Sequence, residues 1–280
     1  MRRRLVGILL TLALVLVLSG PGTAAATSPR AAPPLPDSIA AIGDSISQAF
    51  DACCWYGDHP SLSWSTGWLP HDGIASHYER IRARNPAVTG RRWDLAVSGA
   101  KMADGPRQAR QAVARQARYV TVLLGANDLC APSAAAMTPA AAFASQWRAT
   151  LAVLRAGLPD GAHVFVSSIP DLHRLWRMLH TDRKARLVWR LGRICPSMLA
   201  QANSPEERQA VVERAHEYNR ILAGACAAWR ACRFDGLVTY RYRFTPSQVS
   251  VLDYFHPDRE GQAELARVTW AASFWADRGT

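Results

Sequence analysis

The sequence predicts a three-layer α/β fold built on a parallel sheet of five strands. Short apolar runs alternate with longer stretches of helical period, which is typical of strands joined by crossover helices. Once the two N-terminal segments described next are set aside, about 240 residues remain, and this length fits one α/β domain with a large core. The chain contains no internal repeat. We therefore expect one domain over residues 37–280.

The N-terminal residues 1–26 have the form of a secretory signal peptide. Three arginines at positions 2–4 precede an apolar stretch over 5–18, and the small residues at 23–26 supply an Ala-x-Ala cleavage site. The apolar stretch is shorter than the roughly 20 residues that span a membrane. Residues 27–36 are rich in proline and lack an apolar period, which predicts a disordered linker. We expect a secreted, extracellular protein.

The predicted elements place the polar motifs at one edge of the sheet. The expected strands are short and end near Gly, Ser or Pro, at 38–42, 92–97, 119–124, 163–167 and 233–237. The expected helices are longer, and several begin near a proline, at 72–84, 106–116, 139–158, 205–229 and 257–276. In an open parallel sheet the ligand binds beyond the carboxyl ends of the strands. Ser45, Gly99 and Asn127 follow the first three strands there, and His256 precedes the last helix.

The net charge of +11 at pH 7 gives the chain an excess of cations. A solvated, arginine-rich surface accounts for this charge, and attraction to an anionic membrane, cell wall or polymer is a second interpretation. The arginines are scattered and no nucleic-acid module is visible, so we expect no nucleic-acid partner. The protein is expected to be a monomer.

Six cysteines in an exported chain indicate disulfides, although the sequence does not choose among the pairings. The short loop between Cys226 and Cys232 favours that pair, and Cys130 with Cys195 is the next candidate. The adjacent cysteines at 53–54 either form a strained vicinal bridge or stay free. No Cys-x-x-Cys spacing is present, so we expect no zinc and no other metal.

Ser45 is the candidate nucleophile. It lies in Gly-Asp-Ser directly after the first strand, on an expected strand-to-helix turn that exposes its hydroxyl, and a helix N-cap is the other interpretation. A serine hydroxyl needs a base to remove its proton. His256 fits that role because Asp253, three residues earlier, can bond one ring nitrogen and leave the other to Ser45. The alternative role for Asp253 is to cap that turn.

Acyl transfer also needs rigid donors around the developing oxyanion. The backbone N–H of Gly99, in Ser-Gly-Ala, and the side-chain amide of Asn127, in Gly-Ala-Asn-Asp, are the candidates, with Ser45 as the third member of the oxyanion hole. A turn glycine and a capping asparagine are the alternative interpretations of these two motifs.

Four motifs follow successive strands in the order Gly-Asp-Ser, Ser-Gly, Gly-x-Asn-Asp and Asp-x-x-His. This order resembles the SGNH (GDSL) hydrolase superfamily over nearly the whole mature chain. The resemblance implies a flavodoxin-like α/β/α sandwich and ester hydrolysis without a metal or other cofactor. It also implies the site roles, which are Ser45 as nucleophile, Gly99 and Asn127 as oxyanion donors, and Asp253 with His256 as the remaining catalytic pair.

The resemblance is strongest to the secreted actinobacterial lipase and esterase branch and more distant to the phospholipase B branch, through residues 125–130 and 168–172. One position departs from the pattern, because Asp94 stands where relatives often carry asparagine before the Ser-Gly motif. This departure affects local hydrogen bonding. The motifs indicate the reaction but leave open whether the protein is an esterase or lipase, a phospholipase, or a polysaccharide deacetylase.

The sequence lacks the motifs of several other enzyme classes. No Gly-x-Ser-x-Gly elbow, Gly-x-Gly-x-x-Gly loop or Walker loop occurs, and the His-Glu-x-x sequence that begins at His216 ends in Arg220 instead of a second histidine. A non-catalytic secreted module that binds carbohydrate or cell wall remains an alternative. The sugar rings of a carbohydrate ligand would stack on aromatic residues that follow Ser45, which are Trp55, Tyr56, Trp64 and Trp68.

Residues 171–198 interrupt the strand-helix rhythm with an amphipathic, basic segment. It follows the carboxyl end of the fourth strand, so it is placed to act as a lid or lipid-facing surface whose cations favour anionic substrates. The alternative is an ordinary helical pair that buries its apolar stripe on the domain.

Overall fold

The computed structural model describes residues 32–276, so the signal peptide expected at 1–26 lies outside the described residues. The linker expected at 27–36 lies partly outside them, and its described part has neither helix nor strand. Trp275 Nε1 donates to the carbonyl of Pro33 at 2.8 Å, and Asn85 Nδ2 donates to that of Pro36 at 3.0 Å. These bonds hold the described part of the segment against the domain, and the disorder expected for the linker stays a prediction. No helix within 32–276 is long and apolar enough to cross a membrane.

Five strands form one parallel sheet in the order β2-β1-β3-β4-β5. They are β1 (Ile39–Gly43), β2 (Arg92–Asp94), β3 (Tyr119–Leu123), β4 (His163–Val166) and β5 (Cys232–Phe234). Ile39 of β1 pairs with Arg92 on one side and with Tyr119 on the other. This strand order is that of the flavodoxin-like fold, which places a ligand crevice where the order reverses, between β1 and β3. The predicted α/β/α sandwich with a parallel five-stranded sheet is confirmed.

Helices of very different length connect the strands. They are α1 (His77–Arg82), α2 (Gly105–Ala114), α3 (Ala126–Leu129), α4 (Ala140–Gly157), α5 (Leu172–Leu179), α6 (Arg183–Gly192), α7 (Pro196–Leu199), α8 (Pro205–Ala227), α9 (Val238–Arg241) and α10 (Arg259–Ala272). Single 3-10 turns lie at Pro60–Leu62, Pro86–Val88, Met102–Asp104, Ala134–Ala136 and Pro246–Gln248. The sequence sets several starts, because Ser76 and Ser204 form capping boxes and Asp182 and Asp258 accept from backbone N–H groups of the first turn.

The sheet separates two apolar cores. Successive side chains of a strand point to opposite faces, so Val120 and Val122 of β3 pack with α2, α4 and α8, whereas Tyr119 and Leu123 pack with α1 and α10. Both faces of the central strands are therefore buried, and all five residues of β1 and of β3 are inaccessible to solvent. This burial explains why the central strands are continuous apolar runs in the sequence.

The ends of several elements differ from the sequence prediction. The helix expected at 72–84 begins only at His77, because Ser76 caps it. The strand expected at 92–97 ends at Asp94, although the backbone N–H of Val97 still donates to the carbonyl of Gly43. The strand expected at 233–237 ends at Phe234, since the chain turns through positive φ at Leu237.

The segment 171–198 forms α5, α6 and the start of α7. α5 buries Leu172, Leu175 and Leu179 in the larger core, and α6 buries Ala185 and Trp189 there. Each helix thus places one apolar stripe on the domain, as the second of the two interpretations of this segment requires.

Three disulfides join the six cysteines. Cys226 pairs with Cys232 and links the end of α8 to β5, and Cys130 pairs with Cys195 and links α3 to the start of α7, as expected from the sequence. The loop closed by the second bridge spans 65 residues, for which the chain-entropy model gives a stabilisation of about 4 kcal/mol. The adjacent cysteines at 53–54 form a vicinal bridge.

Gly125, which precedes α3, is expected to be required by both conformation and space. Its φ is +122°, and an added Cβ would lie 2.5 Å from Ile169 Cδ1. Gly125→Ala should lower the free energy of unfolding by about 3 kcal/mol, through backbone strain and overpacking. Gly90 is the matched control, since its φ is +77° and a Cβ there meets nothing within 4 Å. Gly90→Ala should cost about 1 kcal/mol. Urea unfolding of the oxidised proteins measures both, and equal losses would contradict the packing argument.

Candidate active site

The end of β1 is fixed before the chain reaches Ser45. Gln108 of α2 accepts from the backbone N–H of Gly43 at 2.7 Å and donates to its carbonyl at 2.9 Å. A Cβ on Gly43 would lie 2.5 Å from Ser47 Oγ, so only glycine fits there. The nucleophile candidate is therefore carried by a strand end that a buried side chain holds on both of its backbone groups.

The turn that carries Ser45 does not lead into a helix, contrary to the strand-to-helix turn expected. The backbone N–H of Gln48 donates to the carbonyl of Asp44, and that of Phe50 donates to the carbonyl of Ser45, so one helical turn forms. It ends at Ala49, whose φ of +49° is incompatible with a continuing right-handed helix. The helix N-cap interpretation of Ser45 thus fails, since no helix starts at this position.

Asp253, His256 and Ser45 form a chain of hydrogen bonds. His256 Nε2 lies 2.7 Å from Ser45 Oγ, and His256 Nδ1 is hydrogen-bonded to Asp253 Oδ2. The second oxygen of Asp253 accepts from the backbone N–H of His256 at 3.0 Å and from that of Phe255 at 2.8 Å. With Nδ1 as the donor to the carboxylate, Nε2 is left as an acceptor for the serine proton. Asp253 therefore both caps its turn and orients the ring, so the two interpretations of this residue are compatible.

The electrostatics favour an ionised Asp253. Burial by itself raises the pKa of this carboxyl, but the hydrogen bond and positive charge of His256, with the N–H groups of His256 and Phe255, outweigh it and lower the pKa. Asp51 lies nearby, and burial together with the charge of Asp253 raises its pKa to about 6 despite a hydrogen bond from Gly57. On acidification Asp51 accepts a proton before Asp253 does.

Three donors are available where the first three strands end. Within residues 32–276, no acceptor is bonded to the backbone N–H of Ser45 or of Gly99. Gly99 has φ +84°, and no atom lies within 4 Å of the place where a Cβ would be. Asn127 Nδ2 donates one hydrogen to the carbonyl of Ala100 at 3.0 Å, which fixes the amide and leaves its second hydrogen. Because β2, β1 and β3 are neighbours in the sheet, these donors lie along one edge.

Two buried carboxyls below these loops were given no role by the sequence. Asp128 Oδ2 accepts from the backbone N–H of Met102 at 2.8 Å, which ties α3 to the loop that follows Gly99. Asp44 accepts from the N–H of Ile46 at 3.0 Å, and burial raises its pKa to about 7. Asp44 is visible in the Gly-Asp-Ser motif, but only its full burial in the fold indicates that its pKa is raised.

Asp94 is partly buried. Its carboxyl accepts from the N–H of Ala96 at 3.1 Å and from Thr66 Oγ1 at 3.1 Å, and burial raises its pKa to about 7. Gln48 Nε2 lies 3.4 Å from the same oxygen that bonds Ala96. The departure from asparagine is thus accommodated by donors around the carboxyl, away from the Ser45–His256 pair.

An apolar cleft of about 50 Å³ begins at His256. Ile46 and Ala126 line it near the candidate catalytic residues, and α5 supplies one wall. The other side chains of the lining are mostly apolar and include Leu172, Leu175, Met178, Phe244, Val249 and Phe255. The cleft can therefore take a hydrocarbon portion of a ligand whose reacting group lies at Ser45.

The aromatic residues that follow Ser45 do not form one surface. Trp64 is fully buried in the smaller core, and Trp68 packs under the guanidinium of Arg92, 3.5 Å from its ring centre. Trp55 and Tyr56 are 64% and 75% exposed. Only half of the aromatic set proposed for sugar stacking is thus accessible.

No group of three or more His, Cys, Asp or Glu side chains in the described range is arranged to hold a metal ion. His216, which begins the truncated zinc-like motif, is instead hydrogen-bonded through Nε2 to the hydroxyl of Tyr240 at 2.6 Å.

The sequence model of the GDSL-like Lipase/Acylhydrolase family matches residues 41–264, which include Ser45, Gly99, Asn127, Asp253 and His256. The chain belongs to this family. This confirms the resemblance stated from the four motifs, and it makes the protein a GDSL hydrolase. Among curated proteins no sequence match is found.

Solved structures similar to this GDSL hydrolase include two esterases and a lipase. The extracellular lipase from Streptomyces rimosus is 18% identical and has a TM-score of 0.49, with 84% of this chain and 99% of that chain covered. The esterase EstA from Pseudoalteromonas sp. is 12% identical, with 84% and 96% covered and a TM-score of 0.46. The family 3 carbohydrate esterase from Clostridium thermocellum is 12% identical, with 83% and 92% covered and a TM-score of 0.46.

The raised pKa of Asp44 predicts a pH-dependent loss of stability. Unfolding frees this carboxyl to ionise at its ordinary pKa of 3.8, whereas the folded protein retains the proton to about pH 7. The wild type should therefore lose stability as the pH rises from 4 to 7, by up to about 4 kcal/mol from this group. Asp44→Asn keeps the acceptor for Ile46 and removes this dependence, so its stability relative to wild type should grow over that range.

Urea unfolding at pH 4, 5.5, 7 and 8 measures this difference. Asp160→Asn, which removes an exposed carboxyl, is the control for the loss of one charge. A difference between Asp44→Asn and wild type that stays constant with pH would show that Asp44 is ionised in the folded protein.

Proposed function

We propose that this GDSL hydrolase cleaves carboxylic esters through an acyl-enzyme on Ser45 and that it does so outside the cell. The hydrogen-bond chain from Asp253 through His256 to Ser45 is the observation that carries the proposal. It supplies a nucleophile, a base and a group that fixes the tautomer of the base, which together meet the requirements of acyl transfer.

The proposed reaction has two halves. Ser45 Oγ attacks the ester carbonyl while His256 Nε2 takes its proton, and the oxyanion is bound by the N–H groups of Ser45 and Gly99 and the amide of Asn127. The tetrahedral intermediate collapses, the ester C–O bond breaks, and the alcohol leaves with the proton from His256. Water then attacks the acyl-enzyme, His256 accepts its proton and returns it to Ser45, and the carboxylic acid departs. No step requires a metal or a cofactor.

Phospholipase and polysaccharide deacetylase activity would use the same machinery and remain alternatives to a simple esterase or lipase. A non-catalytic binding module is less well supported, because binding alone has no use for a histidine held between a carboxylate and a serine. Hydrolysis of a short-chain p-nitrophenyl ester separates the classes, since a binding module shows none. Secretion is supported by the three disulfides, which persist in oxidising compartments.

The nucleophile can be identified directly. A fluorophosphonate probe should label Ser45 and no other serine, and Ser45→Ala should abolish both labelling and ester hydrolysis. Ser98→Ala is the matched control, because Ser98 adjoins Gly99 but its hydroxyl is bonded to Asp58. This control should retain labelling and turnover. Mass spectrometry locates the adduct, and an adduct elsewhere on active protein would refute the assignment of Ser45.

Asn127→Ala tests the oxyanion hole. Loss of one donor that acts on the developing charge should lower kcat by about 10² to 10³ and leave KM nearly unchanged. The substitution also removes the bond to Ala100, so thermal unfolding should be measured alongside the kinetics. Addition of Asn127→Ala to Ser45→Ala should cause no further loss of activity. A raised KM with intact kcat would instead assign Asn127 to substrate binding.

A further inference from the structure

A basic pocket lies beside the apolar cleft. It has a volume of about 650 Å³, and it shares Asp171, Arg174 and Met178 with the cleft, so the two cavities are adjacent. Its arginines come from two separate parts of the chain, with Arg174 and Arg177 on α5, Arg241 at the end of α9 and Arg243 just after α9. A strongly cationic region therefore lies beside the cleft, and neither Ser45 nor His256 lines it.

The positive charge of this pocket is not neutralised by the protein. In residues 32–276, no carboxylate comes within 4.0 Å of a guanidinium nitrogen of the four arginines. Asp171 is the one carboxylate in the lining, and it caps α5 by accepting from the N–H of Arg174 at 3.0 Å. His173 adds no charge at neutral pH, because burial and the nearby cations lower its pKa even though Asp171 raises it.

One of the four guanidinium groups is fixed in place. Arg174 donates to the carbonyl of Phe244 from Nε at 3.2 Å and from Nη2 at 2.9 Å, which holds it at the junction of cleft and pocket. Arg177, Arg241 and Arg243 are exposed and lack such a bond within the described chain. Clustered like charges repel one another, and arginine forms bidentate hydrogen bonds with phosphate and carboxylate. An anion in the pocket would relieve that repulsion.

We propose that this pocket binds an anionic group of the ester substrate. The cleft then holds the hydrocarbon that separates the anion from the scissile ester. This inference rests on the proposed esterase function and narrows its substrate to an ester that carries a phosphate or a carboxylate at a distance from the reacting carbonyl. Recognition comes from Arg177, Arg241 and Arg243, with Arg174 at the entrance.

The position of these arginines also revises the expectation for the segment 171–198. The cations of α6 do not line the cleft or the basic pocket. Arg186, Arg190 and Arg193 line a different cavity, against Pro132 and Ile194. Arg183 and Lys184 are exposed on α6. α6 thus supplies a matched set of cations outside the proposed binding site.

The experiment compares two triple charge reversals of equal net charge. The test variant carries Arg177→Glu, Arg241→Glu and Arg243→Glu, and the control variant reverses three exposed cations of α6, Arg183→Glu, Lys184→Glu and Arg190→Glu. Substrates come in neutral and anionic pairs. The p-nitrophenyl butyrate and mono-p-nitrophenyl glutarate pair places a carboxylate on the acyl side, and monoacylglycerol with acylglycerol 3-phosphate places a phosphate on the alcohol side.

The readout is the ratio of kcat/KM for the anionic member to that for the neutral member. Wild type should prefer the anionic member of at least one pair, and the pair concerned identifies the source and side of the anion. The test variant should lower this ratio by about tenfold or more. The control variant should leave both activities as in wild type. Equal loss in both variants, or no anionic preference in wild type, would overturn the proposal.

Binding measurements separate this proposal from the proposed function. Calorimetry of acylglycerol 3-phosphate with Ser45→Ala protein needs no turnover, so it reports on the pocket even if wild type hydrolyses no ester. Adding the three reversals to Ser45→Ala should weaken this binding by about tenfold or more, with the α6 set as control. If the triple variant fails to fold, Arg177→Gln with Arg243→Gln replaces it. Undiminished binding in that double variant would refute the assignment.

Discussion

The hydrogen bond between His256 Nε2 and Ser45 Oγ joins residues that are 211 positions apart, and the candidate site depends on it. Two further hydrogen bonds, which do not involve the candidate catalytic side chains, connect the segments that carry the two partners. The N–H of Arg259 donates to the carbonyl of Ala52 at 3.0 Å, and Gln262 Nε2 donates to that of Ile46 at 2.9 Å. The start of α10 is thereby attached to the turn after β1. The α/β sandwich thus brings the first strand and the last helix together. These contacts hold His256 within hydrogen-bonding distance of Ser45.

The buried carboxyls around this bond have opposite electrostatic situations. At Asp44 and Asp51 desolvation outweighs a backbone hydrogen bond and the charge of His256, and their pKa values rise, to about 7 and about 6. Asp253 is buried too, but His256 and two backbone N–H groups compensate it and lower its pKa. As the pH falls, protons therefore reach Asp44 and Asp51 first, and the carboxylate that orients His256 is the last of the three to lose its charge. Burial and hydrogen bonding thus give three chemically identical carboxyls different pKa values.

Residues near the strand ends were predictable from the sequence because their motifs are local and follow apolar runs. The central strands β1 and β3 were predictable for the same reason, since burial on both faces makes them continuous apolar runs. The four-residue helices α3, α7 and α9 were not, because so short an element has no measurable period. The prediction of a helix after Ser45 was wrong. Ala49 ends that turn with a positive φ, and an alanine gives no sequence signal for this conformation. Contacts such as Trp189 Nε1 to the carbonyl of Tyr254 at 3.0 Å emerge only from tertiary packing.

The arginines of the basic pocket were also not predictable from the sequence, and two of the four lie on the short helix α5. Charge alone directs attention to α6, where the cations are densest, whereas the fold places cations of α5, and none of α6, beside the cleft and in the basic pocket. α5 buries Leu172, Leu175 and Leu179 in the core, and its Leu175 and Met178 line the cleft while Arg174 and Arg177 line the pocket. Leu175 belongs to both the core and the cleft wall. Because the same eight residues anchor the helix and carry Arg174 and Arg177, a change that loosens α5 in the core also displaces these two arginines.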